Sequence, residues 1–424
     1  MINKVLWITN ILFPEAFAKL RGEAELRSSG GWMTSAADAL LEYTEGRTQL
    51  YIATVFPLVK QLTKICGEKI TYYILPFNKD YSFCWKQIRD EIHPDIVHVH
   101  GTEYPYGLSY MEACGNENVV ISIQGLVSKI EPHYYDGISK RDYFRNITIG
   151  DIVRNRFKMP HFDLKKRGES ERRTFLTAKH IIGRTLWDKA NVWAINPKAS
   201  YHFCNETLRP EFYEGEWEYQ NCKKHTIFLS SMASPIKGLT MFLKALELVT
   251  RDYPDVVVKI AGNDFSTKGG SLKGLYYYTW YGKLVKKSIK KMGLKDRLVF
   301  VGNLNAAQMK EEYLQSNVFV CPSSIENSSN SLSEAQILGV PTISSYVGGI
   351  PSLVEDSSCG YLYRFDDYEV LAYLICKVFK ESPSFDNLRI VDYAQSRHDG
   401  MNNAKHLFEI YESVVDMTSW HIIY

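Results

Sequence analysis

The stretch CPSSIENSSNSLSEAQILGVPTISSYVGGIP, Cys321 to Pro351, decides how this chain is read. Val318 to Val320 is a short apolar run that reads as a buried strand. Pro322 and the Ser/Asn-rich residues after it read as a turn and a helix start, and Leu332, Ala335, Ile337 and Leu338 read as a mostly buried helix. Glu326 then stands at the carboxyl end of a strand, and Glu334 lies one to two turns into the next helix. In an open α/β sheet that crevice is where ligands bind. The residues between the glutamates (Asn327, Ser328, Ser329, Asn330 and Ser331) are small and polar, so free backbone N–H groups and the positive end of a helix face the crevice. Phosphate is the natural occupant.

Working outward, strand and helix patterns alternate along the chain, the mark of parallel α/β domains. In the first half strands are expected near Val5 to Thr9, Leu50 to Val55, Tyr72 to Leu75, Ile96 to His100 and Val119 to Ile123, with helices near Trp32 to Tyr43 and Tyr81 to Ile92. A second series starts after Cys222: strands Thr226 to Leu229, Val256 to Ala261 and Leu298 to Val301, with helices Leu239 to Thr250, Tyr278 to Met292 and Ala306 to Gln315, lead to the motif strand and helix. At 424 residues the chain exceeds what one core usually covers. The expected organisation is an N-terminal Rossmann-like domain over 1–204, a polar, aperiodic linker over 205–221, a second Rossmann-like domain over 222–395, and a terminal helix within 396–424 that returns to the first domain.

The constellation resembles the retaining glycosyltransferases of the GT-B fold, in particular glycosyltransferase family 4, the glycosyl transferases group 1, of capsular and exopolysaccharide type. That family's signature is a Glu, seven residues, then a Glu. PIKGL (Pro235 to Leu239) resembles its phosphate-binding Lys-Gly, DIVHVHG (Asp95 to Gly101) a strand end of its first domain, Gly30 and Gly31 its first Gly-rich loop, and VGGIP (Val347 to Pro351) the turn after the motif helix. The resemblance implies an α/β fold of two Rossmann-like domains facing across a cleft. It also implies that Glu326 contacts the donor sugar, that Lys237 meets the diphosphate, and that Glu334 binds the ribose hydroxyls. The rest of the donor site would fall to Gly30, Gly31, Gln124, Ser329, Asn330, Ser331, Leu332, Gly348 and Gly349.

Each residue also has a plainer reading. Lys237 alone would be a solvated lysine at a helix start, and either double glycine an ordinary turn. Many relatives carry an arginine five residues before the Lys-Gly pair, and this chain has Met232 there. Arg184, in IIGRT at the end of an expected strand, is the candidate to replace the missing cation; the alternative is a structural salt bridge. Gln124 stands where many relatives have a histidine, and it cannot take up a proton near neutral pH.

Composition bounds the class. Hydrophobic residues make up 45% and charged residues 23%, which fits a soluble enzyme body. The segment MINKVLWITN leads straight into a strand with no signal-peptide core, and no apolar run approaches a membrane span, so the chain is expected in the cytoplasm. Its 8 cysteines include no C-x-x-C pair and read as reduced structural thiols. There is no Asp-x-Asp, so no metal and no cofactor are expected; a nucleotide sugar, with UDP as the expected nucleotide, is the substrate. Lys140 to Lys179 holds twelve Lys/Arg against five Asp/Glu although the net charge is +2. Arg141, Arg145, Arg154, Arg156, Lys158, Lys165, Lys166 and Arg167 lie there among Tyr143, Phe144 and Phe157. This asymmetry points to a saccharide acceptor carried on a lipid diphosphate, or to peripheral contact with the anionic inner membrane face, rather than to nucleic acid, for which no reader motif is present. Lys283, Lys286, Lys287, Lys290 and Lys291 share one helix face and read as a polar outer surface. A nucleotide-sugar epimerase and a noncatalytic nucleotide-sugar-binding subunit are the alternatives. The epimerase would need acid and base carboxylates on both faces of the sugar, and the binding subunit would be marked by loss of Lys237 or Glu334.

Overall fold

The computed structural model describes residues 2–22, 31–78, 80–154, 161–267, 272–354 and 358–421. The chain forms two compact units and passes between them repeatedly. The first unit comprises Met1–Ser128, Lys165–Arg209 and Arg397–Tyr424, and the second Lys129–Leu164 and Pro210–Ser396. Residues 129–164, placed by sequence within a first domain running to 204, thus pack with the second unit.

The first unit is built on eight strands: β1 (Lys4–Thr9), β2 (Gln49–Val55), β3 (Thr63–Cys66), β4 (Ile70–Leu75), β5 (Ile96–His100), β6 (Val119–Ser122), β7 (His180–Gly183) and β8 (Ser200–Phe203), in the order β3-β4-β2-β1-β5-β6-β7-β8. Among the described residues, only β3 runs antiparallel to its neighbour. Central strands covered on both faces must be apolar along their whole length, and β5, Ile96–His100, is buried at every position. Its two histidines are therefore core residues. His98 Nδ1 lies 2.6 Å from the Tyr411 hydroxyl and its Nε2 2.6 Å from Ser122 Oγ, while Trp7 Nε1 donates to the same tyrosine at 3.1 Å. Burial pushes the His98 pKa down to about 3, so its ring is neutral. Tyr411 belongs to the last helix, Gly400–His421, which closes one face of this sheet through Leu407, Ile410, Tyr411 and Val414.

The second unit holds β9 (Lys223–Leu229), β10 (Val257–Ile260), β11 (Leu298–Phe300), β12 (Ser316–Cys321), β13 (Thr342–Ser345) and β14 (Tyr361–Tyr363), all parallel, in the order β11-β10-β9-β12-β13-β14. The order reverses between β9 and β12, so a crevice opens at their carboxyl ends. The inserted segment joins this unit's core: Tyr143, 1% exposed, meets Trp280 edge to face at 4.8 Å. The helix Trp280–Lys291 buries Trp280, Tyr281, Val285 and Ile289, which leaves its lysines on the outer side. No helix among the described residues is long and apolar enough to cross a membrane.

Candidate active site

Two loops leave the crevice of the second unit, one after β9 and one after β12. The first makes a short turn at Pro235–Lys237, and Gly238 follows it with φ +72°. A Cβ on Gly238 would lie 1.8 Å from the Pro322 carbonyl oxygen, so only glycine lets the first loop rest on the second. The loops are also joined by Ser324 N–H, which donates to the Ile236 carbonyl at 2.7 Å. Across this seam Lys237 Nζ donates to Glu326 Oε1 at 2.5 Å, and Ser323 Oγ donates to the same oxygen at 2.7 Å. The two charged side chains are 31% and 15% exposed, open enough to meet a ligand. Burial alone would lower the Lys237 pKa, but the adjacent Glu326 carboxylate outweighs it and holds the ammonium above its ordinary range.

Glu326 is fixed from behind by the second double glycine. Gly349 N–H donates to the Glu326 carbonyl at 3.0 Å, and Gly348 takes φ +51°. A Cβ at Gly348 would sit 2.0 Å from that carbonyl oxygen. Gly348→Ala should therefore cost about 1–3 kcal/mol in local strain and shift Glu326, lowering turnover by roughly 10²-fold. Thermal melts and steady-state rates check this; a variant with unchanged melting and rate would mean that the turn does not position Glu326.

The helix Asn330–Ile337 begins where the sequence places it. Ser329 caps it by accepting from Leu332 N–H at 3.4 Å, and Asn330 and Ser331 form its first turn. Leu332 is fully buried, so what it offers a ligand is limited to its backbone. Glu334 is 5% exposed, and the Tyr313 hydroxyl lies 3.3 Å from its Oε2 and 3.0 Å from the Ser331 carbonyl. A buried carboxylate on this helix needs polar partners, and Tyr313 is one that sequence reasoning missed. Ser323 was also missed, although its place three residues before Glu326 is a usable local signal.

The remaining candidates lie in the first unit. Gly31 opens the helix Gly31–Tyr43, and Gly30 lies outside the described residues. Gln124 follows β6 and, with Arg184, lines a cavity of about 50 Å³. Arg184 is held by partners within the first unit. Its guanidinium is buried against the Glu206 carboxylate and the Ile123 carbonyl, and its own carbonyl accepts from Arg397 Nη2 at 2.8 Å. With side-chain exposure of 5% and 12% for the pair, Arg184 forms a structural ion pair, the alternative reading of this residue. Met232 is no substitute: it is 1% exposed in the core of the second unit. In the same first unit, burial raises the carboxyl of Glu103, after β5, to about 7, and Asn10 Nδ2 donates to it at 3.2 Å.

Residues 218–397 match the family described as glycosyl transferases group 1. The chain is 27% identical over 160 residues to the D-inositol 3-phosphate glycosyltransferase of Mycolicibacterium gilvum, a stretch covering 38% of this chain and 33% of that one. It spans about half or less of the length of the curated relatives it matches. Among solved structures, sucrose-phosphate synthase from Thermosynechococcus elongatus aligns with a TM-score of 0.72 at 13% identity, covering 98% of this chain and 100% of that one. Anabaena HepE in complex with UDP-glucose aligns with a TM-score of 0.63 at 13% identity, over 97% and 99%. At such identities the alignments establish the fold, which is GT-B.

Proposed function

From a glycosyl transferases group 1 domain at residues 218–397 on a GT-B fold, we propose that this chain is a retaining, metal-independent glycosyltransferase. It moves a sugar from a nucleotide-sugar donor to a saccharide or lipid-linked saccharide acceptor in surface polysaccharide synthesis. The carrying observation is the Lys237–Glu326 pair, held between two stitched loops at the switch point of the second sheet. The cation neutralises the diphosphate and the carboxylate takes donor-sugar hydroxyls, so donor binding exchanges their mutual ion pair for two pairs with substrate. The bond from the anomeric carbon to the diphosphate oxygen then breaks, the acceptor oxygen bonds on the same face, and its proton passes to the departing phosphate oxygen. A transient bond to Glu326 is the other retaining route. With Lys237 and helix N-termini meeting the diphosphate charge, the reading needs no metal. The work is placed in the cytoplasm, at the inner membrane face when the acceptor is lipid-linked.

UDP is the expected nucleotide, supported by the likeness to HepE, whose structure holds UDP-glucose. Glu334 is assigned to the ribose. Removing a charged hydrogen bond costs about 1.5–3 kcal/mol, so Glu334→Ala should weaken UDP binding by roughly 10- to 100-fold with the fold intact. Calorimetric titration with UDP, GDP and ADP tests both assignments at once. Equal affinity in parent and variant sinks the ribose assignment, and a preference for GDP or ADP replaces the nucleotide.

A further inference from the structure

The segment inserted into the second unit carries a surface that the donor chemistry does not use. Its short helix Ile149–Val153 turns Ile149, Ile152 and Val153 outward, 63%, 56% and 63% exposed. Spacing of i, i+3 and i+4 puts these three on one stripe. Asp151 faces the other way: it is 1% exposed and accepts from the backbone N–H groups of Thr148 at 3.0 Å and Trp280 at 2.7 Å. The helix is thus apolar outside and polar inside, the reverse of the ordinary soluble arrangement. Tyr276 and Tyr277 extend the stripe from the adjoining helix Leu272–Tyr277, with the Arg154 guanidinium 5.4 and 5.9 Å from their ring centres, and Phe144, 61% exposed, lies on the helix before it.

The charge on the segments that carry this apolar stripe is predominantly positive. Residues 272–291 contain six lysines and no acidic residue, and residues 140–154 contain four cations against Asp142 and the inward Asp151. Lys140, Arg141, Arg145, Lys286, Lys287, Lys290 and Lys291 are all exposed. Lys283 Nζ, which donates to the Ile147 carbonyl at 3.2 Å, ties the lysine helix to the segment.

We propose that this face docks on the anionic interface of a lipid bilayer, the three aliphatic residues and the aromatic rings entering the headgroup boundary while the lysines meet lipid phosphates. The charge decides the occupant. A symmetric contact with a second copy would set each cationic rim against its own like, and a purely electrostatic partner such as nucleic acid leaves the apolar stripe without a role. Exposed aliphatic and aromatic side chains on lysine-rich segments are what an anionic interface selects. This placement does not depend on the sugar-transfer reading.

The test is flotation of the full chain with phosphatidylcholine vesicles and with vesicles containing about 30 mol% phosphatidylglycerol. Binding should be at least about tenfold tighter to the anionic vesicles and should weaken as salt rises from about 0.1 to 0.5 M. The triple change Ile149→Ser, Ile152→Ser, Val153→Ser should lower it by at least about tenfold. A second triple, Lys286→Gln, Lys287→Gln, Lys290→Gln, should do so too, while abolishing the vesicle preference. All six positions are exposed, and melting curves confirm that the variants fold. Indifference of the parent to vesicles, a serine variant that floats like the parent, or a parent dimer that the serine variant dissociates would each overturn the proposal. Hydrolysis of UDP-glucose in vesicle-free buffer is read in the same samples, so loss of docking with hydrolysis retained removes this surface and leaves the transferase reading standing.

Discussion

Lys237→Ala should lower kcat by about 10²- to 10³-fold with a smaller rise in KM, because its charge matters most when the diphosphate departs. In the free protein Lys237 is already held by Glu326 at 2.5 Å, so ground-state binding gains only the difference between two ion pairs. The transition state, where negative charge accumulates on the leaving oxygen, receives the full benefit. Stability should change little, since Glu326 keeps Ser323 as a donor and remains 15% exposed. Steady-state transfer, or donor hydrolysis without acceptor, measures the effect. A variant within threefold of the parent rate, as an order of magnitude, would place the leaving-group cation elsewhere.

The second large effect falls on stability instead. Arg184→Ala leaves Glu206 buried without its cation, and breaking a buried pair from one side costs about 3–5 kcal/mol. The melting transition of the first unit should drop by roughly 10 °C, while turnover at a temperature where the variant is folded should stay close to that of the parent. Replacing both members, Arg184→Met with Glu206→Met, should recover most of the loss, because a buried ion pair is commonly exchangeable for apolar residues of similar volume. If the double variant melts like the parent yet turns over 10²-fold more slowly, Arg184 acts on substrate after all.

Arg184 also shows where sequence reading stops. Its partner Glu206 lies beyond β8, and β8 (Ser200–Phe203) was not recognised because it is short, three of its residues are half-buried and Phe203 is exposed, with no alternation. Without that strand nothing brings the two together. The edge strand β3 (Thr63–Cys66) alternates half-buried and exposed, but four residues are too few to show a period. By contrast β5 was read at its exact bounds, and β1, β2, β6 and β12 to within a residue or two, since strands buried on both faces are continuous apolar runs. The segment 205–221 looked aperiodic, yet Leu208, Phe212 and Trp217 are each buried, and Trp217 Nε1 donates to the Ser316 carbonyl at 2.8 Å. Isolated anchors with no period are invisible to pattern analysis. At the candidate site, Lys237, Glu326 and Gly348–Gly349 could be placed because they follow the strands β9, β12 and β13, and Glu334 because it lies in the helix after β12. Tyr313 could not, for it reaches Glu334 from a different helix, Ala306–Leu314.

The chain crosses between its two units four times, which bears on how it is made. Tyr143 and Asp151 leave the ribosome before Trp280, whose ring and backbone they hold in the finished second unit. Trp7 and His98 are made some three hundred residues or more before Tyr411, the partner they share. The segment Arg397–Tyr424 is made only after the whole of the second unit, so the second unit can close its core first while the first unit still waits for its last helix. During translation the early sheet presents unfinished apolar faces, and that interval is when the nascent chain depends most on a chaperone.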